Sequence, residues 1–335
     1  MRFCVRFVRT VRGGVSVTRL FSVLGDSIST FEGSTREGFA VFYAGERRRA
    51  WGVESVEDTW WMQVVSRCGG TVASNAAWSG SCVEGPGYPA GESPGRADAL
   101  VADDGSAPDD ILVFFGTNDY GWGGFSNQMR GRGNAIPFCA REDPSEGASD
   151  EKGGEPCGAS ASFPAVEHAV ERFQAAYGRM LSNLRSRFPR ARIWCVSLLA
   201  GRVSGCGQST FPRVYRGAAF DDYNAAIESA CRDHGCTFCR ASSLGYDYEA
   251  LDGTHPTKLG MSQIAWMVET CMREAGDAAL SELDASPFPG KAAFLSRDPC
   301  VFPGRSCVNC AYAQSTTAQW MHVCRRFIES GPYRR

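Results

Sequence analysis

Three short apolar runs, Phe21–Leu24, Asp110–Phe115 and Ile193–Leu199, are each followed sooner or later by a stretch with helical spacing, and this alternation constrains the chain most. A run of this length bounded by turn formers, as Asp110–Phe115 is by Pro108 and Gly116, reads as a strand covered on both faces. Thr71–Ala77 and Thr237–Ala241 are weaker strand candidates. Helical spacing appears in Trp60, Trp61, Val64 and Val65, after a capping-like Ser55-Val56-Glu57-Asp58. It returns in Val166, Val170, Phe173, Tyr177, Met180, Leu181 and Leu184, ending before Pro189. Two more sets are Phe220, Tyr223, Ile227 and Cys231, and Ile264, Met267, Val268 and Cys271. Strands alternating with helices predict an α/β fold built on a mostly parallel sheet covered on both sides.

With 335 residues the chain has room for one large domain and an appendage. The expected division is a basic, flexible leader over 1–19, a domain over 20–276 and a small cysteine-bearing appendage over 277–335. The leader holds Arg2, Arg6, Arg9, Arg12 and Arg19 and no acid. A long insertion at about 121–163, rich in Gly, Ser, Pro and acids, reads as a lid or a disordered loop. A formal net charge of -2 and a pI near 6.1 supply no global field for nucleic acid or an anionic membrane. No apolar run approaches the ~20 residues that span a bilayer. Fifteen cysteines without an export signal favour reduced thiols and a cytoplasmic location. Oligomeric state is not legible.

Ligands of a parallel sheet bind at the carboxyl ends of its strands. Ser27, in Leu24-Gly25-Asp26-Ser27-Ile28, follows the first strand and is the candidate nucleophile. Gly80 follows the second strand and Asn118 the third; with the Ser27 backbone N–H they are candidate donors to an oxyanion. Asp252 and His255, before the last helix, are the candidate orienter and base that a serine hydroxyl requires. Each has a plainer reading: Ser27 as a helix cap, Gly80 as a turn glycine, Asn118 as a loop amide, Asp252 as a turn residue and His255 as a cap. Asp26 reads as a structural hydrogen-bonder. Asp119, Tyr120 and Trp122 read as loop packing, and Trp60 and Trp61 as core or as one wall of an acyl pocket. His168, His234 and His322 read as structural.

Taken together, Gly25-Asp26-Ser27, Gly80 within Asn75-Ala76-Ala77-Trp78-Ser79-Gly80, Gly116-Thr117-Asn118-Asp119 and Asp252-Gly253-Thr254-His255 resemble, in order, the four sequence blocks of the SGNH, or GDSL-like, hydrolases. The resemblance spans roughly residues 20–275. It implies a three-layer α/β/α, flavodoxin-like fold and serine esterase, lipase, thioesterase or carbohydrate-deacetylase activity; the reading taken is a metal-independent serine hydrolase without a cofactor, acting on a small-molecule ester or an acylated carbohydrate. Ser81 departs from the pattern, since some relatives carry an acid there. Thioester hydrolysis is the nearest rival. A different class of reading is a scaffold whose tail binds zinc through Cys300, Cys307, Cys310 and Cys324, with Cys236 and Cys239 as a second thiol pair.

Overall fold

The structure is a computed structural model that describes residues 18–124, 166–204 and 213–290. The leader up to residue 17, most of the insertion, His322 and the four tail cysteines lie outside the described residues.

The apolar runs form the strands β1 (Leu20–Gly25), β2 (Thr71–Asn75), β3 (Asp110–Phe114) and β4 (Arg192–Val196), and β5 (Thr237–Cys239) completes the sheet. All neighbours are parallel, in the order β2-β1-β3-β4-β5. This is the flavodoxin-like 2-1-3-4-5 order, and its direction of winding reverses between β1 and β3. Alternation of side chains along each strand divides the core into two layers. Ile111 and Val113 of β3 pack on one side with Ile193 and Cys195; Leu112 and Phe114 pack on the other with Trp194 and Val196.

The first layer is covered by α1 (Ala169–Arg187) and α2 (Phe220–Asp233), through Phe173, Tyr177, Met180, Tyr223 and Ile227. The second is covered by α3 (Trp60–Arg67) and α4 (Lys258–Glu274), through Trp60, Trp61, Val64, Ile264 and Met267. Trp60 and Trp61 are core residues, with their indole N–H groups donated to Ser29 Oγ and Ser29 O at 3.2 and 2.9 Å. The expected capping start is displaced. Asp58 closes back on the Ser55 N–H in a short 3-10 turn, and Thr59 caps α3 by accepting from Met62 N.

Asp110 opens a strand that is otherwise apolar, yet its carboxylate is fully buried. It is tolerated because Trp194 Nε1 donates to it at 2.8 Å and Arg19 and Arg192 pair with it at 2.9 Å each. Both arginines also reach Asp277, at 3.0 and 3.2 Å. The packing therefore runs past the expected boundaries at 19 and 276. Arg19 belongs to the domain, and so do Asp277, the short helix α5 (Ala278–Ser281) with fully buried Leu280, and Phe288, whose ring stacks on Tyr246.

The Cys236 and Cys239 pairing is also corrected. Positions three apart on a strand point to opposite faces, so Cys236 joins the layer of Cys195 and Cys231 while Cys239 lies in the layer under α4. Among the described residues no group of histidines, cysteines and carboxylates is placed to hold a metal ion.

Candidate active site

Gly25 ends β1 where a side chain would not fit: a Cβ there would lie 2.7 Å from Phe114 O and 2.8 Å from Ser29 Oγ. The chain then turns at once. Asp26 caps a 3-10 turn over Ser27–Ser29, with Oδ1 accepting from Ile28 N at 3.1 Å. Its other oxygen, Oδ2, is buried without a hydrogen-bond partner, and burial pushes the carboxyl up to about 6. Asp26 thus shapes the turn that presents Ser27, as expected of a structural residue.

Asp252 and His255 are set by a local turn. Asp252 Oδ1 accepts from Thr254 N and His255 N at 3.0 and 2.7 Å, leaving Oδ2 against His255 Nδ1 at 2.7 Å. Burial alone would raise the Asp252 carboxyl, but His255 and the two backbone donors outweigh it and hold the group below the usual carboxylate range. An ionised Asp252 has only lone pairs to offer, so Nδ1–H is the donor. That leaves His255 Nε2 to accept, and Ser27 Oγ stands 2.9 Å from it. Three groups from opposite ends of the chain therefore form one hydrogen-bonded line.

The imidazole is held from other directions as well. Phe42 lies face to face with it, centroids 3.5 Å apart and planes within 5°. Arg47 covers the far side of the Phe42 ring at 5.0 Å. Trp51 Nε1 donates to His255 O at 3.1 Å and Tyr43 Oη to Pro256 O at 2.8 Å. No sequence motif marks Phe42 or Trp51.

Gly80 sits on the loop that leaves β2 and Asn118 in the first turn of the helix Thr117–Trp122 that follows β3, at the same sheet edge as Ser27. Gly80 takes a φ of 78°, which favours glycine. Asn118 Nδ2 donates to Ser81 O at 2.9 Å, tying the two segments together. Asp119 is fully buried and accepts from Val83 N and Glu84 N at 2.8 and 3.0 Å, which makes it the brace of the same junction. Tyr120 is core. His168 lies at the start of α1 and His234 at the end of α2.

Fold and site together define a parallel α/β protein with serine, imidazole and carboxylate aligned at the point where the sheet reverses its winding, an arrangement suited to acyl transfer. Residues 19–128 match the family model GDSL-like Lipase/Acylhydrolase. Among solved structures, a Bacteroides uniformis chain assigned to the GDSL-like lipases is 22% identical, with a TM-score of 0.48 over 78% of this chain and 96% of that one. A second, from Bacteroides ovatus, is 19% identical with a TM-score of 0.46 over 77% and 100%. The acetyl xylan esterase Est2A of Butyrivibrio proteoclasticus is 16% identical with a TM-score of 0.41 over 79% and 66%. No curated protein matches the sequence.

Proposed function

We propose that the chain hydrolyses a carboxylic ester of a small molecule or carbohydrate through an acyl-enzyme on Ser27. The observation that carries this reading is the continuous line from Ser27 Oγ to His255 Nε2 at 2.9 Å and from His255 Nδ1 to Asp252 Oδ2 at 2.7 Å. His255 takes the Ser27 proton as Oγ attacks the carbonyl carbon, and Asp252 stabilises the imidazolium that results. Collapse of the tetrahedral intermediate expels the alcohol, which leaves with the proton returned by His255. Water then repeats the sequence on the acyl-enzyme and frees the acid.

The oxyanion is met by the backbone N–H groups of Ser27 and Gly80 and by the Asn118 amide. Asn118 has two N–H groups on Nδ2; the bond to Ser81 O occupies one and orients the other.

The test is covalent labelling with a fluorophosphonate followed by peptide mapping. Wild type labels at Ser27, and Ser27→Ala and His255→Ala do not, while both retain the wild-type melting temperature within a few degrees. A label on another residue, or undiminished labelling of His255→Ala, sinks the reading. A panel of p-nitrophenyl esters, acetylated sugars and acyl-CoA then assigns the substrate.

A further inference from the structure

Arg96 is the only lysine or arginine in the buried class among the described residues, and it is fully covered. It lies on the short helix Pro94–Asp98, in a stretch where the sequence carries no motif. No carboxylate comes within ion-pair distance of it among the described residues. Instead its guanidinium donates to the loops that leave the strand ends. Nη2 donates to Gly25 O at 3.0 Å and to Ala76 O at 2.8 Å, and Nη1 donates to Pro89 O and to Ser81 Oγ, the latter at 3.4 Å. The plane of the group rests over the Phe115 ring, with Cζ 5.2 Å from its centroid. Burial lowers the guanidinium to about 10, which leaves it charged at neutral pH.

These contacts fall beside each candidate oxyanion donor. Gly25 O is two residues before Ser27, and Ala76 O and Ser81 Oγ bracket Gly80. Ser81 O in turn receives the Asn118 amide, and Ser81 Oγ donates back to Trp78 O at 2.8 Å. Gly25 O also accepts from Trp78 N at 3.0 Å, so Arg96 adds a second donor to that carbonyl, whereas a water or a neutral side chain would reach one such carbonyl at a time. A planar fork with several N–H groups ties two chains in one fixed geometry.

We propose that Arg96 is the positioning residue of the oxyanion pocket, holding the Ser27 turn, the Gly80 loop and, through Ser81, Asn118 in one fixed arrangement. This rests on the serine-esterase reading above. A buried cation without a carboxylate in contact is a costly way to fill a core, and its donors converge on loops that leave β1 and β2 at the reacting edge. Donors to an oxyanion act by being fixed before charge develops, so loosening them weakens the transition state while leaving ground-state binding nearly unchanged.

The experiment uses the full chain with p-nitrophenyl acetate, alongside fluorophosphonate labelling of wild type. Folded Arg96→Met is expected to lose about 10²- to 10³-fold in kcat with KM within about twofold of wild type. Arg96→Lys keeps the charge but cannot bridge two carbonyls in one plane, and is expected to lose about tenfold at constant KM. If the methionine variant fails to fold, the lysine variant decides alone. The proposal is overturned if the folded variants keep kcat within about threefold, if KM rises as far as kcat falls, or if neither variant folds, which would make Arg96 a core residue only. Wild type that does not label at Ser27 sinks the nucleophile reading and this proposal together; labelled wild type with an unaffected arginine variant sinks this proposal alone.

Discussion

Phe42 touches His255 over its whole face, while the Asp252 and Ser27 contacts lie in the imidazole plane. In-plane hydrogen bonds fix two directions of the ring and stacking fixes the third. Aromatic stacking of this kind contributes about 0.5–1.5 kcal/mol. Phe42→Leu, which keeps bulk and removes the flat face, is therefore expected to lower kcat by about two- to tenfold with little change in melting temperature. Steady-state rates at saturating ester check this, and an unchanged kcat would show that Asp252 and Ser27 orient the imidazole unaided. The pair Asp252 and His255 was legible because the turn that aligns them is local, three residues long. Phe42 and Arg96 were not, because a stack or a carbonyl clamp depends on where distant backbone happens to run. The side chain itself carries no mark of it.

At the scale of elements, α4 anchors the loop that carries His255. It starts immediately after the His255 loop, with Thr257 Oγ1 accepting from Gly260 N at 3.2 Å and donating to Glu249 Oε1 at 2.7 Å. Its first turn presses on the short strand Tyr248–Ala250 so closely that a Cβ at position 260 would fall 1.8 Å from Glu249 O. Backbone cannot yield by that much, so Gly260→Ala is expected to cost about 3 kcal/mol or more, as overpacking at a rigid contact does. Denaturant unfolding measures it, and a loss under 1 kcal/mol would mean that α4 slides freely. Periodicity located this helix and the other three long ones because each buries one apolar face. The capping signal at Ser55 opens a 3-10 turn one step ahead of α3, because a 3-10 turn and an α-helix begin with the same chemistry and only the next residues' packing separates them.

For the whole molecule, the end of the sheet opposite the active site is closed by Arg19, Asp110, Arg192 and Asp277, with both carboxylates fully buried. The network joins the first described residues to those that follow α4. A chain ending at residue 276 loses Asp277 from two ion pairs and leaves Arg19 and Arg192 to share Asp110, and it also strips Leu280 from the core. Loss of a buried leucine alone costs about 2–5 kcal/mol. Such a chain is expected to melt well below a chain ending at 290, by roughly 5–10 °C or more for a domain of this size. Equal melting temperatures would show that residues 277–290 add nothing to the fold. The boundary at 276 was drawn where periodicity fades, but a domain ends where burial ends, and burial follows contacts with the other end of the chain.

The order of strands and helices and the residues that meet at the candidate site follow from the sequence, because hydrophobic period and turn chemistry are local and the four motifs are short. The buried carboxylate at the start of β3, the opposite facing of Cys236 and Cys239, the aromatic face against His255 and the arginine beneath the strand ends came from the tertiary structure alone. Each depends on groups tens to hundreds of residues apart, or on which face of the sheet meets which helix. Position in space, which no local pattern encodes, decides such contacts.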